Sequence, residues 1–231
     1  MDKQLTDVLK VIHQHNISYW LDSGTLLGLQ RDGQLMEHDR DIDLSVWDSE
    51  EAKIKEMIPY FRQAGYQIYS ASYKGKCFKY TFTPHNLHKD RIIDIDIFRE
   101  VQGHAWCPMY YFNLNAAKKE KETAKKSSLL GGLRSVIRTG WKQFNTRFPL
   151  HVKIDSLPWR TFVNLGTWWI PKTYFATIIF DDRLETYIPQ EWESYLSFRY
   201  GNWQEPCDDW VFYRDDGGIQ DTDPGLLLDS Q

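Results

Sequence analysis

Cysteine is scarce: Cys77, Cys107 and Cys207 are the only three in 231 residues. An odd, widely spaced set with no CxxC pair offers neither a disulfide framework nor a zinc knuckle, and fits a reducing compartment. Long apolar runs are missing as well. None approaches the roughly 18 residues that a membrane span needs, and the first residues show no apolar block behind a charged leader. The expectation is a cytoplasmic chain, soluble or peripheral at a membrane. Positive charge is not in excess either: 28 Lys and Arg against 32 Asp and Glu leave a net charge of −4, which argues against a dedicated nucleic-acid binder. What the chain does hold is apolar and aromatic mass, 42% and 15% of its residues, more than a disordered chain carries. The length suits one mixed domain with a substantial appendage and would cramp two independent ones.

Leu5, Val8, Leu9 and Ile12 recur at helical spacing and predict an amphipathic helix. A short aromatic and β-branched stretch, 17–21, reads as a strand, followed by the breaker cluster Asp22-Ser23-Gly24-Thr25 and a short helix over 26–30. Residues 41–47 alternate strictly: Ile42, Leu44 and Val46 face one way, while Asp41, Asp43, Ser45 and Trp47 face the other. Ser49 is expected to cap a helix that buries Ile54, Met57, Ile58 and Phe61, with a kink at Pro59 and a stop at Gly65. Strands are expected over 66–73 and 77–83. Residues 92–98 then repeat the earlier alternation, with Ile93, Ile95 and Ile97 opposite Asp94 and Asp96.

Two strands thus carry paired carboxylates opposite an aliphatic face. Residues i and i+2 of a strand lie on one face about 7 Å apart, so adjacent strands would bring both pairs together. Carboxylates gathered in a partly dry pocket repel one another, and a divalent cation removes the conflict. With no soft ligand nearby the ion expected is Mg²⁺ or Mn²⁺, held by carboxylates and substrate phosphate oxygens. Ser23-Gly24-Thr25 is the candidate other half of a phosphate site, because glycine admits a close backbone approach and amides at a helix start hold anions. On its own such a turn is more often purely structural.

The block Tyr19-Trp20-Leu21-Asp22-Ser23-Gly24-Thr25-Leu26-Leu27-Gly28, with Arg31-Asp32-Gly33 and Asp39-Arg40-Asp41-Ile42-Asp43-Leu44 after it, resembles the signature of the LicD/fukutin family. Ile95-Asp96-Ile97-Phe98 is similar to the family's later Asp-Ile-Phe strand. Tyr200-Gly201-Asn202-Trp203 before Pro206 is similar to its C-terminal Tyr-Gly-Asp-Trp segment. Glu37-His38 stands where the family usually has Pro-Trp, and Arg40 replaces a common acidic or polar residue, departures that bear on the substrate more than on the metal.

The resemblance implies an α/β nucleotidyltransferase-like domain with a mixed, twisted sheet, flanking helices and a helix-rich C-terminal portion. Residues 1–110 would be the catalytic core, and 111–231 would complete the acceptor cleft without folding independently. It implies a phosphotransferase of cell-surface polysaccharide biosynthesis. Such an enzyme moves phosphocholine, phosphoribitol or phosphoglycerol from a CDP-linked donor to a hydroxyl of a glycan or lipid-linked glycan, releasing CMP. On that reading Asp41 and Asp43 hold the metal with Asp39 beside them, and Asp96 or Asp94 is the third carboxylate, as ligand or general base. Arg31 is a candidate phosphate contact, with a salt bridge to Asp22 or Asp32 as its plain alternative. The alternatives in function are a nucleotidyltransferase that attaches NMP and releases pyrophosphate, and a non-catalytic nucleotide- or glycan-binding domain.

His38 is the histidine nearest the acidic cluster, and an exposed loop residue is its commoner role. Trp159, Trp168, Trp169, Trp192, Trp203 and Trp210 crowd the C-terminal half, where core packing is expected for most and ring stacking for the rest. Lys118 to Lys126 is lysine-rich. Leu129, Leu133, Val136, Ile137, Phe144 and Phe148, beside Arg134, Arg138, Lys142 and Arg147, then predict a basic amphipathic helix, suited to an anionic membrane surface or an anionic polymer and equally to packing on the domain.

Overall fold

A computed structural model describes residues 2–87, 89–112, 151–153 and 163–220. The basic helix expected between 118 and 148, and Trp159, lie outside the described residues. The first helix, α1 (Lys3–Gln14), is capped by Asp2, whose carboxylate accepts from the amides of Gln4 and Leu5. Its buried stripe holds Leu5, Val8, Leu9 and Ile12 together with Val11. The strand expected over 17–21 shortens to β1 (Trp20–Leu21), and α2 (Ser23–Arg31) begins three residues before the expected start. Asp22 is the reason: it is the N-cap and its carboxylate accepts from the Ser23 amide, so the helix is entered at the small residues 23–25, with Ser23 itself left-handed. Next come β2 (Asp41–Trp47) and α3 (Glu51–Gln63). Ser49 lies in a 3₁₀ turn, Asp48–Glu50, and α3 starts without a side-chain cap. The helix carries Pro59 through to Gln63.

The strands β3 (Gln67–Tyr73), β4 (Lys76–Thr83), β5 (Ile92–Val101) and β6 (His104–Phe112) follow. After them come β7 (His151–Lys153), β8 (Val163–Pro171), the hairpin of β9 (Ile178–Asp181) and β10 (Thr186–Pro189), α4 (Trp192–Tyr200), α5 (Phe212–Asp215) and β11 (Ile219–Gln220). Among the described residues nine strands form one mixed sheet in the order β11-β8-β6-β5-β4-β3-β7, with β2 on the flank of β5 and β1 on β2. The β2–β5 and β3–β7 pairs are parallel and the others antiparallel.

β5 organises the sheet. Its first half lies between β2 and β4, while Arg99–Val101 pair with β6. The aliphatic faces foreseen for 41–47 and 92–98 are the centre of the core: Ile42, Leu44, Val46, Ile93, Ile95 and Ile97 are all at most 1% exposed. Each such side chain contributes about 1.5–3 kcal/mol by leaving water. That burial locks the register, because a one-residue slip would drive the aspartates into the core. The same core takes in Ile54, Met57 and Phe61 of α3 and the stripe of α1. The β9–β10 hairpin reaches the first strand through Tyr19, whose hydroxyl lies 2.9 Å from the Thr186 hydroxyl.

Candidate functional site

The parallel pairing of β2 with β5 sets Asp43 beside Asp94 and Ser45 beside Asp96. On the other side of β5, the antiparallel pairing with β4 sets Thr81 beside Asp94 and Lys79 beside Asp96. Registered neighbours face the same way, so the polar row Asp43, Asp94, Thr81 and the row Ser45, Asp96, Lys79 share one face of the sheet. That face floors a cleft of about 1030 Å³. Ser23, Gly24, Arg31, Asp39, Asp41, Asp43, Asp94 and Asp96 all line it. Its lining also includes aromatic side chains from β8, the end of α4, the segment after it and the start of α5: Trp168, Tyr200, Trp203, Trp210 and Phe212.

The carboxylates divide into two groups. One oxygen from each of Asp39, Asp41 and Asp43 lies within 4.8 Å of the others. These are hard oxygen donors only, which suits Mg²⁺ or Mn²⁺ and not a thiophilic ion. Burial, then the hydrogen bond and charge of Asp39, push the Asp41 carboxyl up to about 7. Burial and then Asp41 raise Asp43 well above the usual carboxylate range. The three groups therefore stand in mutual conflict that positive charge relieves. Asp94 and Asp96 lie outside this trio. Lys79 Nζ is 2.9 Å from Asp94 Oδ2 and 3.3 Å from Asp96 Oδ1, and the Thr81 hydroxyl donates to Asp94 Oδ1 at 2.6 Å. Burial raises Asp96 to about 6 against the pull of Lys79, while the neighbouring aspartates hold the Lys79 ammonium well above its ordinary value despite its own burial.

The turn before α2 is shaped around the trio. A Cβ on Gly24 would collide with the Asp39 carboxylate, so glycine is what allows that approach. Thr25, expected at the substrate, faces inward: it is fully buried and its hydroxyl accepts the Asp43 amide at 2.8 Å, fastening the turn to β2. Ser23 sits at φ 49°, a left-handed conformation uncommon outside glycine, and its hydroxyl accepts from Arg199 at 3.0 Å. Arg31 reaches the cleft rim with its fork on Asp32, at 2.8 and 2.9 Å. His38 is an exposed cleft residue.

Arg199 was not foreseen. It is 3% exposed, donates to Asp22 at 3.1 Å and grips Asp216 with Nε and Nη2, at 3.0 and 2.7 Å to Oδ2. Asp22 also accepts from the hydroxyls of Ser45 and Tyr195, at 2.6 and 2.5 Å. The guanidinium lies 4.1 Å from the Trp168 ring centroid. This buried network joins α4 to the turn before α2. A sequence signal existed only in its position, one residue before the Tyr200-Gly201-Asn202-Trp203 segment. Lys79 had a fainter one: with Thr81 it forms the polar face of a strand whose Phe78, Tyr80 and Phe82 are buried.

A small-residue turn at a helix start, feeding a strand with alternate aspartates beside a second acidic strand, defines a nucleotidyltransferase-like domain. Residues 16–131 match the LicD/FKTN/FKRP nucleotidyltransferase domain, and the chain belongs to that family, one of phospho-alcohol transferases. An uncharacterized protein of Rickettsia typhi is 34% identical over 64 residues, 28% of this chain and 21% of its own length. One of Rickettsia prowazekii, likewise uncharacterized, is 31% identical over 88 residues, 38% of this chain and 33% of its own length. The chain thus covers a third or less of these curated relatives.

Proposed function

We propose that the protein is a metal-dependent phosphotransferase that moves a phospho-alcohol such as phosphocholine, phosphoribitol or phosphoglycerol from a CDP-linked donor to a glycan hydroxyl, releasing CMP. The observation that carries this reading is the convergence of Asp39, Asp41 and Asp43 at the floor of a cleft large enough for a nucleotide-linked donor. These three carboxylates would hold Mg²⁺ or Mn²⁺, which neutralises charge on the transferred phosphoryl group. Ser23 and Gly24 bring backbone close to the trio, and Arg31 at the rim offers a fork to phosphate once it releases Asp32. The aromatic side chains of the cleft supply ring faces for the uncharged part of donor or acceptor and keep water from the reacting centre.

Asp96 has one oxygen not engaged by Lys79, whereas both oxygens of Asp94 accept hydrogen bonds. Asp96 is therefore the better base for the acceptor hydroxyl, and a carboxyl raised to about 6 is suited to taking that proton near neutrality. No helix among the described residues is long and apolar enough to cross a membrane, and a lipid-linked acceptor would be met from the membrane surface.

The test is product analysis with CDP-choline, CDP-ribitol and CDP-glycerol in the presence of Mg²⁺ and a glycan acceptor. CMP release that requires all three components is expected. Pyrophosphate release from an NTP would show the alternative, attachment of NMP, and binding with no product under either regime would show a non-catalytic domain.

A further inference from the structure

We propose, on the metal reading above, that Lys79 acts as a built-in second cation, so that the cleft takes one divalent ion, at Asp39, Asp41 and Asp43, where five carboxylates would otherwise invite two. Of the seven aspartates that line the cleft, Asp39, Asp41, Asp43, Asp94 and Asp96 are the five that concern the ion, and they are not equivalent. Three offer oxygens that converge within 4.8 Å. The other two are bridged by one ammonium, which lies between their oxygens at 2.9 and 3.3 Å. The ammonium is delivered by register, as Lys79 is the cross-strand partner of Asp96 on the polar face of β4. Thr81 closes the remaining oxygen of Asp94.

Two-ion phosphoryl-transfer sites hold their ions about 3.5–4 Å apart with a carboxylate between them. The position that would bridge Asp43 to Asp94 is next to a positive charge whose side chain is only 21% exposed, against carboxylates that are 13% and 15% exposed. A second divalent ion there would lose Asp94 as a ligand and face the ammonium in a poorly screened setting. A covalently tethered charge also needs no binding step of its own. It orients Asp94 and Asp96 before any ligand arrives, which makes Lys79 a positioning residue and not a metal ligand.

The experiment counts ions. Mn²⁺ alone is titrated into the purified 231-residue chain, and free Mn²⁺ is followed by its electron paramagnetic resonance signal. The double variant Asp41→Asn/Asp43→Asn sets the baseline for weak surface binding. One ion per chain above that baseline is expected for the wild type and for Lys79→Arg, which keeps the charge, and two for Lys79→Met. Two ions in the wild type, or a single ion in folded Lys79→Met, would overturn the role of Lys79 and leave the metal reading standing. No ion above baseline in the wild type would overturn the metal reading itself. Should Lys79→Met not fold, the wild-type and Lys79→Arg counts still decide the matter, because two ions in either is incompatible with a tethered charge in the second place.

Discussion

Asp41→Asn separates a carboxylate kept for a cation from one kept for the fold. In the metal-free protein the Asp41 carboxyl is raised from 3.8 to about 7 by burial and by Asp39. A raised carboxyl contributes most to stability below its ordinary value, where it is protonated in both folded and unfolded chains. That contribution falls as pH rises through 3.8 and is gone above about 7. Three units at about 1.4 kcal/mol each give about 4 kcal/mol as a ceiling. For a group that keeps some contact with solvent, about half of that is realistic. Asparagine retains the shape and a donor toward Asp39 but never ionises. The variant should therefore be about 2 kcal/mol more stable than the wild type at pH 8 in EDTA, a rise of roughly 4–8 °C in melting temperature for a chain of this size. At pH 4 the two should coincide. Circular-dichroism melts across pH 4–8, with and without Mg²⁺, read this directly, and Mg²⁺ should raise the wild-type melting temperature much more than the variant's. A variant that melts well below the wild type at pH 8 in EDTA would refute the reasoning, since it would mean that the Asp41 charge is a structural partner.

Arg199→Leu should behave in the opposite sense, because it strands Asp22 and Asp216 in the core. A loss of about 3–5 kcal/mol in urea unfolding is expected, and a loss under 1 kcal/mol would show that the network is dispensable. Thr25→Val leaves the Asp43 amide without its acceptor and should cost about 1–3 kcal/mol, while Thr25→Ser should restore most of it in the same assay. Gly24→Ala presses on the flexible end of Asp39, so thermal stability should change little while Mn²⁺ affinity, measured by calorimetry, falls about 10-fold or more; unchanged affinity would remove Asp39 from the ion site.

The acidic strands are legible in the sequence because alternation is a local property. Ile42, Leu44 and Val46 on one face, with Asp41 and Asp43 on the other, leave a half-buried strand as the simplest fit, and the same holds for Ile93 to Ile97. That the two strands are neighbours is a matter of sheet topology, which alternation within each strand leaves open, and the parallel pairing of β2 with β5 supplies it. The start of α2 was misjudged because Ser23, Gly24 and Thr25 are poor helix formers, and only the cap from Asp22 makes their conformation affordable. Position alone puts Thr25 at the ligand, yet its hydroxyl is committed to the Asp43 amide, a bond between residues 18 apart that no local pattern announces. Lys79 and Arg199 escaped notice for the same reason. Each matters through partners brought to it by cross-strand register or by the packing of α4, and a lone cation in a strand or helix looks like any solvated one.

Arg199 and Trp203 come from far beyond residue 131, where the match to the family ends, yet one is bonded to Asp22 in the turn before α2 and the other lines the same cleft as the ion trio. A fragment trimmed to the matched stretch would keep every aspartate of the ion trio and still present Asp22 as an unbalanced acid in what had been the core. Hybrids between relatives face the same constraint. Grafting a foreign C-terminal portion onto this N-terminal half should succeed only when the graft carries its own arginine for Asp22, so the seam that matters to a protein engineer runs through one guanidinium and not along the boundary that sequence similarity draws.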